Sequence, residues 1–198
     1  MLMKRWHNAM SRVSEFRKIW KKHSSGQRKE NKNMTNEKQY SERIAALIKQ
    51  FLDEDEWKYT FYEEDGVFTF GELIDGAIKT IHYRVFVRQD DYIVNASVEI
   101  GADPKDAKLM ANMAEFICRA NDGLTGGKFE FDFEDGSIMA MSFTNCENIE
   151  PSEEMIGYSI FILSHMFERY GKGIINVLSG KVTPKDAIEE CETEEEES

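Results

Sequence analysis

Apolar residues recur at helical spacing from Asn36 to Leu52, where Tyr40, Ile44, Leu47, Ile48, Phe51 and Leu52 make one stripe. The acidic run Asp53–Glu56 ends it, and the period then changes from helical to alternating. Residues 57–62 lead into the turn dipeptide Asp65-Gly66, and residues 67–70 return, which predicts a hairpin. The clearest sheet signal follows. Ile81, Tyr83, Val85 and Val87 alternate with His82, Arg84, Phe86 and Arg88. Asp90-Asp91 makes the turn, and Tyr92, Val94, Ala96, Val98 and Ile100 alternate with Asn95, Ser97 and Glu99. One apolar face and one mostly polar face predict an antiparallel sheet covered on one side.

A helix is predicted from Asp103-Pro104, with Asp103 as its cap and proline in its first turn. Ala107, Met110, Ala111, Ala114, Ile117 and Cys118 are its expected buried side, and Gly123 with Gly126-Gly127 closes it. A second hairpin places Phe129, Phe131 and Phe133 on one face, turns at residues 134–137, and returns through Met139, Met141 and Phe143. Pro151-Ser152-Glu153-Glu154 opens a long helix packed through Met155, Ile156, Ser159, Ile162, Leu163, Met166 and Tyr170. Gly171 and Gly173 are expected to break or bend it before residues 174–178. Thr183-Pro184 caps a short final helix, and Glu192 to Glu197 read as a solvated acidic tail. The order helix, strands, helix, hairpin, helix predicts an α+β domain over residues 36–190, with helices on one face of an antiparallel sheet and a tail at 191–198.

The first 33 residues depart from this pattern. Trp6, Met10, Val13, Phe16 and Trp20 fall at helical spacing among Lys and Arg. One reading is a basic amphipathic helix for an acidic membrane or a partner. The other is a start codon read too early: Gln27-Arg28-Lys29-Glu30 is encodable by a purine run like a ribosome-binding site just before Met34. The extension at 1–33 is then disordered or foreign to the native protein.

Charge sharpens the division. Residues 1–34 carry 10 Lys and Arg against 2 Asp and Glu, and the rest carries 15 against 35. A domain this acidic repels phosphate backbones, so no nucleic-acid partner is expected. No apolar run approaches the roughly 18–20 residues of a membrane helix, and membrane contact is expected only if residues 1–33 are genuine. The basic N-terminus has no continuous apolar segment after it, and Cys118, Cys146 and Cys191 are odd in number and far apart. Free thiols in a reducing, cytoplasmic compartment are the expectation. Asn95-Ala96-Ser97 matches a glycosylation acceptor inside a predicted strand and is read as chance.

Candidate chemistry is thin. His7 and His23 fall in the extension, His82 sits on the polar side of a strand, and His165 with Glu168 makes one pair where zinc needs three or four ligands. Ser164 and His165 are helix neighbours that do not face each other. Cys118, expected in the core, would be a poor thiolate. Gly123–Lys128 is too short for a phosphate loop, has Phe129 where Ser or Thr would hold magnesium, and precedes a strand. In Asp132–Gly136 the glycine is one place early for a calcium loop, and Phe143 stands where the bidentate Glu belongs. Asp53–Glu56 reads as a solvated loop. No catalytic, cofactor-binding or metal residue is therefore assigned, and a non-enzymatic role is expected. With 10 Met and 13 Phe, the chain is rich in soft apolar side chains that suit adaptable binding surfaces.

The stretch Glu115–Asn121, then Gly123-Leu124, Gly127–Asp132 and Asp135-Gly136, resembles the YbjN family of bacterial proteins. So do Pro151–Glu154, Met166–Gly171, Gly180, Thr183-Pro184 and Ala187. The likeness spans roughly Asn36 to Glu190 and is densest after Asp103. It implies a fold similar to type III secretion chaperones, small α+β proteins, often dimeric, that hold other polypeptides; some members are described as sensory-transduction regulators. It carries no catalytic motif. The expectation is a protein-binding module, chaperone-like or regulatory, homodimeric, with a protein or peptide client. The alternative is a small-ligand sensory domain with a pocket of Phe129, Phe131, Met139 and Met141, and a cryptic enzyme stands third.

Overall fold

The structure, a computed structural model, describes residues 38–196. The expectations for residues 1–33 lie outside them. The order of elements is α1 (Glu42–Glu54), β1 (Tyr59–Tyr62), β2 (Val67–Leu73), β3 (Thr80–Val87), β4 (Asp91–Gly101), α2 (Ala107–Ala120), β5 (Lys128–Phe131), β6 (Ser137–Asn145), α3 (Glu153–Leu178) and α4 (Pro184–Glu196). The domain is α+β, as its sequence periods predict.

The six strands form one antiparallel sheet in the order β1-β2-β3-β4-β6-β5. The first four strands run as a meander. The β5–β6 hairpin then joins through its second strand, leaving β5 on the far edge. Among the described residues all four helices pack on one face. Helix α3 crosses β4 and β6, α2 lies against β5, α1 leans on α3, and α4 closes on α2 and α3. Strand residues facing the helices are fully buried: Phe68, Ile81, Val94, Ala96, Ile138 and Ala140 are all 0% exposed. Each large apolar side chain taken out of water this way stabilises the fold by about 1.5–3 kcal/mol.

Local chemistry fixes the ends of the helices. Ser41 accepts from the Ile44 amide at 3.3 Å at the start of α1, and Ser152 from Met155 at 3.3 Å at the start of α3. Helix α2 begins three residues later than Asp103 predicts. Asp106 caps it, accepting from Lys108 and Leu109, while Asp103 accepts from Lys105 in the preceding turn. Both aspartates suit a cap, and the docking of α2 on β5 and α3 selects the second. The buried face also differs from the expected one: Met110, Met113, Phe116, Ile117 and Ala120 are its buried residues. Ala107, Ala111 and Cys118, expected inside, are exposed.

Gly171 and Gly173 do not interrupt α3, which runs unbroken for 26 residues. They are there for clearance. A Cβ on Gly173 would lie 2.7 Å from the Phe116 ring and 2.8 Å from Cys191 Sγ. Thr183 Oγ1 accepts from the Asp186 amide and caps the final helix as expected, but that helix is longer than expected: Ala187 and Cys191 are buried, and α4 continues through Glu196 into the predicted tail. Packing against α2 and α3 overrides repulsion among its carboxylates. The turns at Gly66 and Gly136 take positive φ, 66° and 72°, and a Cβ on Gly136 would sit 1.9 Å from the Ala102 carbonyl oxygen.

Candidate functional site

Antiparallel pairing places residues of neighbouring strands in rows, and alternation gives each row to one face. On the face away from the helices, the register aligns Tyr62 with Val67, Val67 with Phe86, Phe86 with Ile93, and Ile93 with Phe143. These five side chains form one apolar row across β1, β2, β3, β4 and β6. Tyr62 is 39% and Phe143 53% exposed. The Arg88 guanidinium lies 6.0 Å from the centre of the Phe143 ring and pairs with Asp91. Among the described residues no helix covers this row.

Beside it runs a polar row: Thr60, Thr69, Arg84, Asn95, Met141 and Lys128. Burial disfavours the charge of the Arg84 guanidinium, pulling its pKa down. Among the described residues no carboxylate pairs with it. Its cross-strand neighbour Asn95 has a side-chain oxygen that is buried without a hydrogen-bond partner. Beyond the apolar row, the strand turns carry exposed Glu63, Glu64, Asp65, Asp90 and Glu147.

The register also decides the fate of the expected pocket. Phe129 pairs with Ala140 and is 2% exposed, inside the helix-covered core against Phe167 and Tyr170. Phe131 faces the same way, opposite Ile138. Met139 and Met141 alternate with Ile138 and Ala140, so they lie on the opposite, open face. The four residues line no common cavity. Phe133, 67% exposed at the hairpin tip, meets the Phe131 ring edge to face at 5.2 Å.

Other candidates are separated or occupied. His82 Nε2 lies 3.9 Å from Glu99 on the open face, and His165 Nδ1 lies 3.9 Å from Glu168 on α3. Among the described residues no group of three or more His, Cys, Asp or Glu stands together as a metal set. Asp132 and Asp135 spend their carboxylates on the amides of Glu134 and Ser137 in their own turn. Gly127 sits between Leu163, Met166 and the Met141 carbonyl, and β5 follows it. Asp53 accepts from Lys49 and from the Tyr59 hydroxyl, and these bonds hold its carboxyl below the usual range. Cys118 is exposed on α2, next to a shallow depression it shares with Arg119, Asn121 and Asp122. Cys146 and Cys191 are buried, and no disulfide joins the three.

A half-buried carboxylate was not foreseen. Tyr83, 1% exposed, donates its hydroxyl to Glu72 at 2.9 Å. Burial raises the Glu72 pKa, and the charge of Glu168 adds to it. The apolar row was missed as well. Its signal lay in single apolar residues breaking the polar sides of β3 and β4, Phe86 among His82, Arg84 and Arg88, and Ile93 before Asn95 and Ser97. Within the described residues no helix is long and apolar enough to cross a membrane. Compared with known proteins, the chain matches no family model, no curated protein and no solved structure.

Proposed function

We propose that this chain is a non-enzymatic protein-binding module, chaperone-like or regulatory, that holds a protein or peptide client on the open face of its sheet. The observation that supports the reading is the apolar row from Tyr62 to Phe143, aligned across five strands with no described helix over it. A sheet with one covered face normally has a polar second face, and a contiguous apolar strip there marks an interaction surface. Met139 and Met141 beside the row supply adaptable contacts. The resemblance to the YbjN family points the same way, toward proteins that hold polypeptides. The reading includes a cytoplasmic homodimer.

The test uses the tagged full chain, crosslinked mildly in cells, beside its Phe143→Ser variant. The expected result is a partner at near-equal stoichiometry that the variant loses while keeping its fold by circular dichroism. A partner retained by the variant, or none on the wild-type chain, overturns the reading. Light scattering across micromolar concentrations tests the dimer, and a monomer throughout rules it out.

A further inference from the structure

The open face carries more than an apolar row. Arg84 is one alternation step from Phe86, and Asn95 one step from Ile93, so both border the row on the same face. A guanidinium that burial desolvates, with no carboxylate beside it among the described residues, is missing its best partner. The guanidinium asks for a carboxylate. The rim asks for the reverse sign: Glu64, Asp90 and Glu147 stand exposed on the turns next to the row, where Glu63 is already paired with Lys38. A uniformly acidic partner meets repulsion there. A second copy of this face brings the same acidic rim and a second Arg84.

The row also sets a length. Five strands at about 4.8 Å spacing span about 19 Å. That is the length of about 13 residues of α-helix, an element that covers sheet faces in layered folds.

The geometry points to one kind of client: an amphipathic helix with basic ends and a carboxylate at the centre of its apolar stripe, which pairs with Arg84. This assignment rests on the protein-binding reading above and names the chemistry of its partner. The apolar stripe covers Tyr62, Val67, Phe86, Ile93 and Phe143. The carboxylate neutralises Arg84 by a bidentate pair, and the basic ends reach the acidic turns.

The test titrates the full-length protein against three synthetic peptides of about four helical turns sharing one apolar stripe. The first has lysine ends and a central glutamate, the second has glutamine in place of that glutamate, and the third has glutamate ends. By fluorescence anisotropy the first is expected to bind about tenfold tighter than the second, about 1.4 kcal/mol. That preference disappears in Arg84→Met, and the third peptide binds more weakly than the first at low salt. Equal binding of the first two peptides to the wild-type protein overturns the inference without needing any variant. If both still lose affinity on Phe143→Ser, the protein-binding reading survives that failure. If no peptide binds and Phe143→Ser retains its cellular partner, both fall. Concentration-dependent self-association that Arg84→Met abolishes also overturns it, by making a second copy the occupant.

Discussion

The Asn121 side chain brackets the Phe129 peptide: its Nδ2 donates to the Phe129 carbonyl at 2.9 Å, and its Oδ1 accepts from the Phe129 amide at 2.7 Å. A side-chain amide thus takes the place of a neighbouring strand on the outer edge of β5. Exposed strand edges invite pairing with other chains, and this one is closed at its centre by the residue just after α2. Asn121→Ala is expected to destabilise the fold by about 1–3 kcal/mol, since it leaves two partly buried backbone groups unpaired. It also frees the edge, so self-association rises. Denaturant midpoints and light scattering check both, and an unchanged midpoint would mean that the amide contributes nothing.

The two faces of β6 respond differently to substitution. Ile138 is 0% exposed under the helices, and Phe143 is 53% exposed on the open face. Ile138→Ala is expected to cost about 2–5 kcal/mol. Phe143→Ser is expected to stay within about 0.5 kcal/mol of wild type, which is what makes it a usable binding variant. Comparable losses at both positions would contradict the face assignment.

Gly173→Ala sets helix propensity against packing. Alanine is favoured over glycine by about 1 kcal/mol in a helix interior, yet the added methyl meets Phe116 and the Cys191 sulfur closer than 3 Å. Overpacking of this kind costs about 1–3 kcal/mol, so the variant should melt lower than wild type. Pairing it with Phe116→Leu should recover part of the loss. A single variant that melts higher would show that the contact relaxes freely.

Glu72 gives the fold a signed pH dependence. Burial, then the charge of Glu168, raises its pKa in the folded state. The folded protein therefore holds this proton more tightly than the unfolded chain. The contribution is fully present below the unfolded-state pKa and is lost as pH rises through the folded-state value. Glu72→Gln keeps an acceptor for the Tyr83 hydroxyl and removes the titration. Its stability relative to wild type should rise as pH goes from the carboxylate range to neutrality; a constant difference in urea melts at each pH would exclude Glu72 as the source.

The thiols should react in two classes. Cys118 is exposed, while Cys146 and Cys191 are buried, and burial with the charge of Asp91 pushes the Cys146 thiol up. The native protein should expose one fast thiol to a disulfide reagent, mapping to Cys118, and three in denaturant. Fast labelling of Cys191 in the native state would mean that α4 does not stay docked.

The misreading of Cys118 shows where sequence periodicity stops. The α2 pattern admits two apolar stripes, offset by two positions and so on nearly opposite sides, through Ala107, Ala111 and Ala114 or through Met113, Phe116 and Ala120. Alanine suits either side, so only contact with β5, α3 and α4 chooses between them. The β5–β6 hairpin fails in the same way. Phe129, Phe131, Met139 and Met141 are all apolar, and only the register, Phe129 opposite Ala140, separates the two faces.

Taken by itself, the sequence determined the elements and their class. Alternation at Ile81–Val87 and Tyr92–Val98, turn glycines at 66 and 136, and the cap at Ser152 are local properties, each set by a few neighbouring residues. Tertiary structure decided what lies next to what. The row from Tyr62 to Phe143 draws on residues scattered over 82 positions, and it exists because five strands pair in one register. Placement of every described helix on the other face left that row open among the described residues, a property of the packed chain that no local window of residues contains.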